Sequence, residues 1–378
     1  VAQRISVPGF VDASNTERPI QAQVGRTINL FVESTAPGGG AKVPKDLQVM
    51  PKVHPFLVWP DQPIRGIFSI NGRAVGVGGA MFAEFFTDGT IGPTSTVTND
   101  GQPVSFASNG TAGNQIILAS GGDGYIYDTV ANTLTQITDP DFPDPCRQVE
   151  FLNGYFLALK GGGSRSFSWS NLEDGTIWDP LDVAERSSTA DNLGAMIRSH
   201  EEIWFMGGQT TQVYVNTGVA SEIWAPISGV VLEFGVVGPF TVHRCDNTIF
   251  WLQSSVDGWG MMSRADGYTP QRRSTFGVEQ QLQQQVIPSD ALAFTLQMNG
   301  HIWYVLLLPR SDRTWVYDVT MDVWFEWNLW DSTACEWIPH VVNSHIFEFG
   351  KHLLGDRNSG GIYELSMQFY DDQIVMPT

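Results

Sequence analysis

The sequence is poor in charge, in basic charge above all, and in cysteine. Charged side chains make up 16% of its 378 residues, against about a quarter in an average soluble chain. Lys plus Arg number 21 and Asp plus Glu 40, a net charge of −19. Such an acidic excess repels phosphate backbones and argues against a protein that wraps nucleic acid through sequence-independent electrostatics. Cys146, Cys245 and Cys335 are an odd number of cysteines with no CxxC spacing, which indicates neither a disulfide framework nor a zinc site and fits synthesis in a reducing compartment. The longest uninterrupted apolar run, residues 302–308, falls far short of the ~20 residues of a membrane-spanning helix. The opening Val-Ala-Gln-Arg-Ile carries no apolar h-region.

What the sequence has is turns and aromatics: 39 Gly, 21 Pro and 12% Phe, Trp and Tyr. Turn pairs recur at Asn71-Gly72, Asn153-Gly154, His200-Glu201, Asp246-Asn247, Asn299-Gly300 and Asn343-Ser344, with a weaker one at Gly113-Asn114. Their mean spacing of about 45 residues matches the ~40–50 of a four-stranded propeller blade. Alternating, β-branched and aromatic stretches surround them. Second strands are expected at 115–119, 155–159, 203–206, 248–252, 302–308 and 345–349, and third strands at 124–128, 167–170, 212–215, 260–263, 314–318 and 361–365. A single such sheet cannot bury both faces, whereas radial stacking supplies the missing contacts. The expected fold is therefore all-β, a β-propeller of about seven four-stranded blades over residues 64–378, preceded by an irregular N-terminal extension, 1–63. Within that extension 35–44 reads as a loop and 26–32 as a strand that would close the ring by completing the last blade. Residues 278–285 read as a Gln-rich helix ended by Pro288, with Val278, Leu282 and Val286 as a thin apolar stripe, either a solvated connector or a docking helix.

Sequences that suggest chemistry fail on inspection. Asp139, Asp141 and Asp144 alternate with prolines and lack the turn Gly and terminal Glu of a calcium loop. His54, His200, His243, His301, His340, His345 and His352 form neither HExxH nor HxxEH. The clusters Gly76-Val77-Gly78-Gly79, Gly121-Gly122 and Gly161-Gly162-Gly163 open no helix and lack a P-loop Lys, so hairpin turns are expected there. Asp174-Gly175-Thr176-Ile177-Trp178 has the Asp-Gly turn and anchoring aromatic of sialidase blades without the spacing of their box, which is in any case a turn staple rather than a catalytic site. Repeated tryptophans near strand ends are expected to pack between blades, although a sugar-binding or glycosidase-like propeller would use such rings as stacking platforms. No catalytic, cofactor-binding or metal-binding residue is assigned, and no cofactor is expected.

Several longer strings resemble the packaged-DNA-stabilisation, tail hub or nozzle, proteins of short-tailed bacteriophages. They are residues 171–185 (NLEDGTIWDPLDVAE), 203–218 (IWFMGGQTTQVYVNTG), 247–252 (NTIFWL) with 267–275 (GYTPQRRST), and 314–318 (TWVYD), together with 7–10 (VPGF) and 29–33 (NLFVE). They span most of the chain in the family's order. The resemblance implies a non-enzymatic virion protein of the tail, synthesised in the host cytoplasm. It implies a homo-oligomeric ring, a hexamer, below the portal and its head-to-tail adaptor, with tail fibre or spike and tail needle proteins nearby. DNA would pass through the lumen without tight binding, which the net charge suits. The resemblance also leads one to expect sequence beyond Thr378.

Overall fold

The computed structural model describes residues 26–34, 45–186, 191–220, 222–284, 287–311 and 313–375. Seven antiparallel sheets follow one another. Blade 1 is Ile64–Ile70, Arg73–Gly78, Met81–Phe85 and Ser95–Thr96; blade 2 is Ser105–Ser108, Gln115–Ser120, Asp123–Asp128 and Thr133–Gln136; blade 3 is Cys146–Leu152, Tyr155–Lys160, Ser166–Asn171 and Asp174–Glu185. Blade 4 is Leu193–Ser199, Glu202–Gly207, Thr211–Asn216 and Trp224–Leu232, and blade 6 is Leu292–Met298, His301–Leu307, Thr314–Asp318 and Val323–Glu326. In blade 5 the innermost position is shared by Gly235–Val236 and His243–Cys245, followed by Thr248–Ser255, Gly258–Asp266 and Thr269–Arg272. Blade 7 is Val342–Glu348, Lys351–Asp356, Gly361–Ser366 and, as its outermost strand, Lys52–Val58.

The closing strand is thus not the segment at 26–32. Leu30–Ser34 pairs instead with Lys45–Val49 in a separate hairpin, which Asn29 fastens to blade 6 by donating from its backbone N to Glu326 O at 2.8 Å. The expected loop at 35–44 lies outside the described residues. A second correction concerns blade 7. Asn343-Ser344 is not a turn but part of its first strand, and the turn falls at Phe349-Gly350, with φ of 57° and 71°. Residues 345–349 therefore belong chiefly to the first strand rather than the second. The other strong landmarks sit at first-to-second strand turns, as Asn71-Gly72 (φ 55° and 79°) and Asn153-Gly154 (φ 52° and 87°) illustrate. Both positions are left-handed, the geometry a two-residue hairpin requires and Asn-Gly adopts at least cost.

The core lies between blades. Phe82 of blade 1 meets Tyr127 of blade 2 at 5.1 Å, Phe167 of blade 3 stacks on Phe205 of blade 4 at 4.0 Å, and Phe250 of blade 5 stacks on Tyr304 of blade 6 at 5.8 Å. The one α-helix among the described residues, Phe276–Gln283, starts at Thr275, whose hydroxyl accepts from Val278 N. It docks: Val278 and Leu282 are fully buried against Phe250, Leu252 and Trp315. Val286, the third residue of the expected stripe, lies outside the described residues.

Candidate functional site

The suspected chemical motifs resolve into fastenings. Asp139 accepts from Asp141 N at 3.0 Å and from Trp178 N at 3.0 Å, so it ties its own loop to the outer strand of blade 3. Asp174 accepts from the backbone N and hydroxyl of Thr176, and Trp178 Nε1 donates to Gly175 O at 2.9 Å, making this box a turn staple. It also locks blades 2 and 3 together through Gln115, whose side chain donates to Asp174 and accepts from Gly175 N. Gly121 and Gly122 have φ of 62° and 92° in the turn between two strands of blade 2, where a Cβ on Gly121 would lie 2.5 Å from Thr98. Among the described residues no group of three or more His, Cys, Asp or Glu could hold a metal ion.

Buried carboxylates, which a glycosidase would need free and convergent, are already engaged. Glu326 accepts from Arg26 and Asn328, Asp318 from His301, Trp303 and the backbone of Thr320 and Met321, and Asp356 from Ser359 and Tyr363. Ten of the 13 tryptophans are buried, which makes most of them packing residues rather than a sugar-binding surface; Trp259 and Trp337 are half-buried, and Trp330, exposed, meets Trp337 edge to face within the hairpin Asn328–Asp331 and Glu336–Pro339. Arg272-Arg273, a basic pair in sequence, is internally matched: Arg272 makes a two-pronged bond to Glu279 at 2.6 Å and Arg273 lies 3.7 Å from Asp322.

Two parts of the surface remain distinctive. The first is the outer edge of blade 3, where Asp174–Glu185 pairs on one side only and exposes Ile177, Leu181 and Val183. Leu181 is 85% exposed. An apolar row on an unpaired edge strand is a liability in a monomer and a contact surface in an assembly.

The second is the axis of the ring. The innermost strands all begin at one end, so Ile64, Arg147, Leu292 and Asn343 from four blades meet around a cavity of about 320 Å³. Arg65, Arg310 and Arg357 join them, with Asp290 as the lining carboxylate. Arg65 is saturated: its guanidinium donates to Gln102 O, Gly79 O, Thr98 O, Ser120 Oγ and Asp100 Oδ1, which staples blade 1 to blade 2. Deeper among the innermost strands, burial raises the pKa of Glu150, opposed by Arg244 and Arg198. At the other end a cavity of about 640 Å³ is lined by Arg244, Asp246, His345, Phe347 and His352. Burial pushes His345 down to about 3, and it meets His352 at 3.0 Å as a neutral ring. No spacing in the sequence foretells the arginine-lined mouth, since its members come from separate blades and only ring closure brings them together.

The family model described as Bacteriophage P22 Gp10, beta-propeller, matches residues 64–370. No curated protein matches the chain. Among solved structures, virginiamycin B lyase from Staphylococcus aureus is similar with a TM-score of 0.54 at 10% identity, over 84% of this chain and 99% of that chain. A streptogramin B lyase gives 0.52 at 14% identity, over 84% and 98%. At these identities the likeness is one of fold alone.

Proposed function

The chain belongs to the family of phage tail-stabilisation β-propellers, a virion protein of the tail, and from that premise we propose that it is the subunit of a hub or nozzle ring. The ring sits below the portal and its head-to-tail adaptor, surrounds the DNA path and retains the packaged genome until ejection, with fibre or spike and needle proteins as further neighbours. The observation that carries the reading is the family match across residues 64–370, which takes in all seven blades apart from the closing strand Lys52–Val58. Two features support it. The unpaired outer strand of blade 3, with Ile177, Leu181 and Val183 exposed, offers an apolar edge to a neighbouring copy. The net charge of −19 leaves a conduit wall without general attraction for DNA.

The function so described is mechanical: the blades supply a rigid wall, and the buried carboxylates brace blades 6 and 7 from within and fasten Arg26 to blade 6 rather than act on a substrate. Light-scattering mass measurement of the purified chain, alone and with candidate portal-adaptor proteins, tests the assignment. A ring, or assembly triggered by an adaptor, is the expected result. A monomer under both conditions that binds glycans would replace it with the lectin-like reading.

A further inference from the structure

We propose that the arginine-lined mouth of the propeller's own central channel is a binding site for an oxyanion group, carried by a small ligand and not by duplex DNA. This site is separate from the conduit of the assembled ring and goes beyond the tail-hub reading. The arginines around the cavity are unequally matched. Arg65 has spent its donors on Ser120 of blade 2, on three backbone carbonyls and on Asp100. Arg310 is paired, its Nε 3.1 Å from Asp290. The other two are not so provided for.

Arg147 is exposed to the cavity and has no carboxylate partner among the described residues; the surrounding protein lowers its pKa with no acidic group to offset the effect. Arg357 makes one long hydrogen bond, to Pro309 O at 3.3 Å, while its Nε is buried without a partner. Asp356 and Asp290 act on it only through space, the first being committed to Ser359 and Tyr363. In a chain with 40 acidic side chains against 21 basic ones, unmatched cations at one point are unexpected. A buried donor left bare is costly, and an arriving acceptor removes the cost.

The shape suits a small group. Guanidinium forks match the planar or tetrahedral oxygens of carboxylates and phosphates. The cavity of about 320 Å³ lies at the lower end of the size of small-ligand sites, whereas duplex DNA, whose major groove alone is about 12 Å wide, does not fit. Pro63, Pro103, Pro239 and Pro309 form a stiff rim, and Asn343 Nδ2 fastens blade 7 to blade 1 by donating to Ile64 O at 2.7 Å. The mouth is therefore held open rather than free to collapse onto its charges.

Calorimetric titration of the full chain with inorganic phosphate and, separately, with citrate tests the site, at ionic strength matched with chloride. Saturable binding of at least one of them is expected, weakened at least tenfold in Arg147→Gln and unchanged in Arg165→Gln, a change on the outside of blade 3. Binding of phosphate alone assigns the site to phosphate-bearing ligands, and of citrate alone to carboxylate-bearing ones. Arg357→Gln should weaken binding too; should it fail to fold, exposed Arg147 still decides the matter. Absence of saturable binding with either anion, an unchanged affinity in Arg147→Gln, or displacement of the anion by a short DNA duplex would overturn the proposal.

Discussion

Val53 stands opposite Leu365 in antiparallel register, so a strand from the start of the described chain completes the blade formed at its end. Both side chains are buried with Leu354 and Tyr363 in one cluster. Without this pairing blade 7 would have three strands and the ring would lack the seam that joins the two ends of the chain. Leu365→Ala should therefore cost about 2–5 kcal/mol, the range for truncating a buried leucine. Val58→Ala, at an exposed position of the closing strand, should stay within about 0.5 kcal/mol. Urea unfolding midpoints check the pair, and equal midpoints for the two variants would mean that the seam contributes little.

The Asn299-Gly300 turn of blade 6 offers a test of backbone strain alone. Gly300 has φ of 84° and Asn299 of 51°, and nothing lies within 4 Å of a Cβ added to Gly300. Crowding is thus absent, and the cost of Gly300→Val comes from forcing a β-branched residue into the left-handed region, about 1–3 kcal/mol. Gly300→Asn should be milder, since asparagine tolerates that region. An unchanged thermal midpoint for the valine variant would contradict the turn geometry.

The same chemistry explains what could be read in advance. Asn-Gly pairs announce their hairpins because few other residues adopt two consecutive positive φ values, and three of the first-to-second strand turns, at Asn71-Gly72, Asn153-Gly154 and Asn299-Gly300, were legible this way; Asp246-Asn247 and His200-Glu201 were legible through the tolerance of Asp, Asn and His for positive φ. Phe349-Gly350 was not, because phenylalanine has no preference for φ near 57°, and the nearby Asn343 drew the boundary to itself. The closing strand was hidden by Pro55. Proline weakens the reading of any strand, yet it is tolerated at a sheet edge and at an irregularity in the ladder; Lys52–Val58 is outermost in its blade, and its register shifts between Pro55 and Leu57. The channel mouth left no local trace because Arg147 and Arg357 become neighbours only through the radial order of the blades.

His301 gives stability a pH dependence. Its Nδ1 lies 2.5 Å from Asp318 Oδ2 and its Nε2 3.0 Å from Glu33 Oε2, joining the N-terminal hairpin to blade 6. Burial works to lower its pKa, but hydrogen bonds to Asp318 and Glu33 outweigh it, and the net shift is upward. A folded value above the unfolded one means that the stabilisation is complete below an unfolded pKa of about 6.5 and is lost as pH rises through the folded value. The destabilisation caused by His301→Gln should accordingly be larger at about pH 6 than at about pH 9. Guanidinium denaturation of both proteins at both pH values reads the difference. A gap that does not narrow would show that the imidazole acts only as a neutral hydrogen-bonding group.

A wall that guides DNA should not grip it. Each neutralised phosphate adds a salt-sensitive tether, and 40 acidic against 21 basic side chains leave no general attraction. The local exceptions are spoken for or enclosed: Arg272 is bound to Glu279 and Arg273 lies near Asp322, while the arginines at the channel mouth line a cavity too small for a duplex. Purified protein should therefore show no appreciable affinity for duplex DNA at about 0.15 M salt, and particles assembled without it should lose their packaged genome, since retention by a hub is a matter of obstruction. The two halves are measured separately, by a salt-dependent binding titration and by genome content of particles lacking the chain. Tight, salt-sensitive binding would replace obstruction with a phosphate grip. Full genome retention in particles lacking the protein would remove the hub assignment itself and leave the propeller as a binding module of the tail.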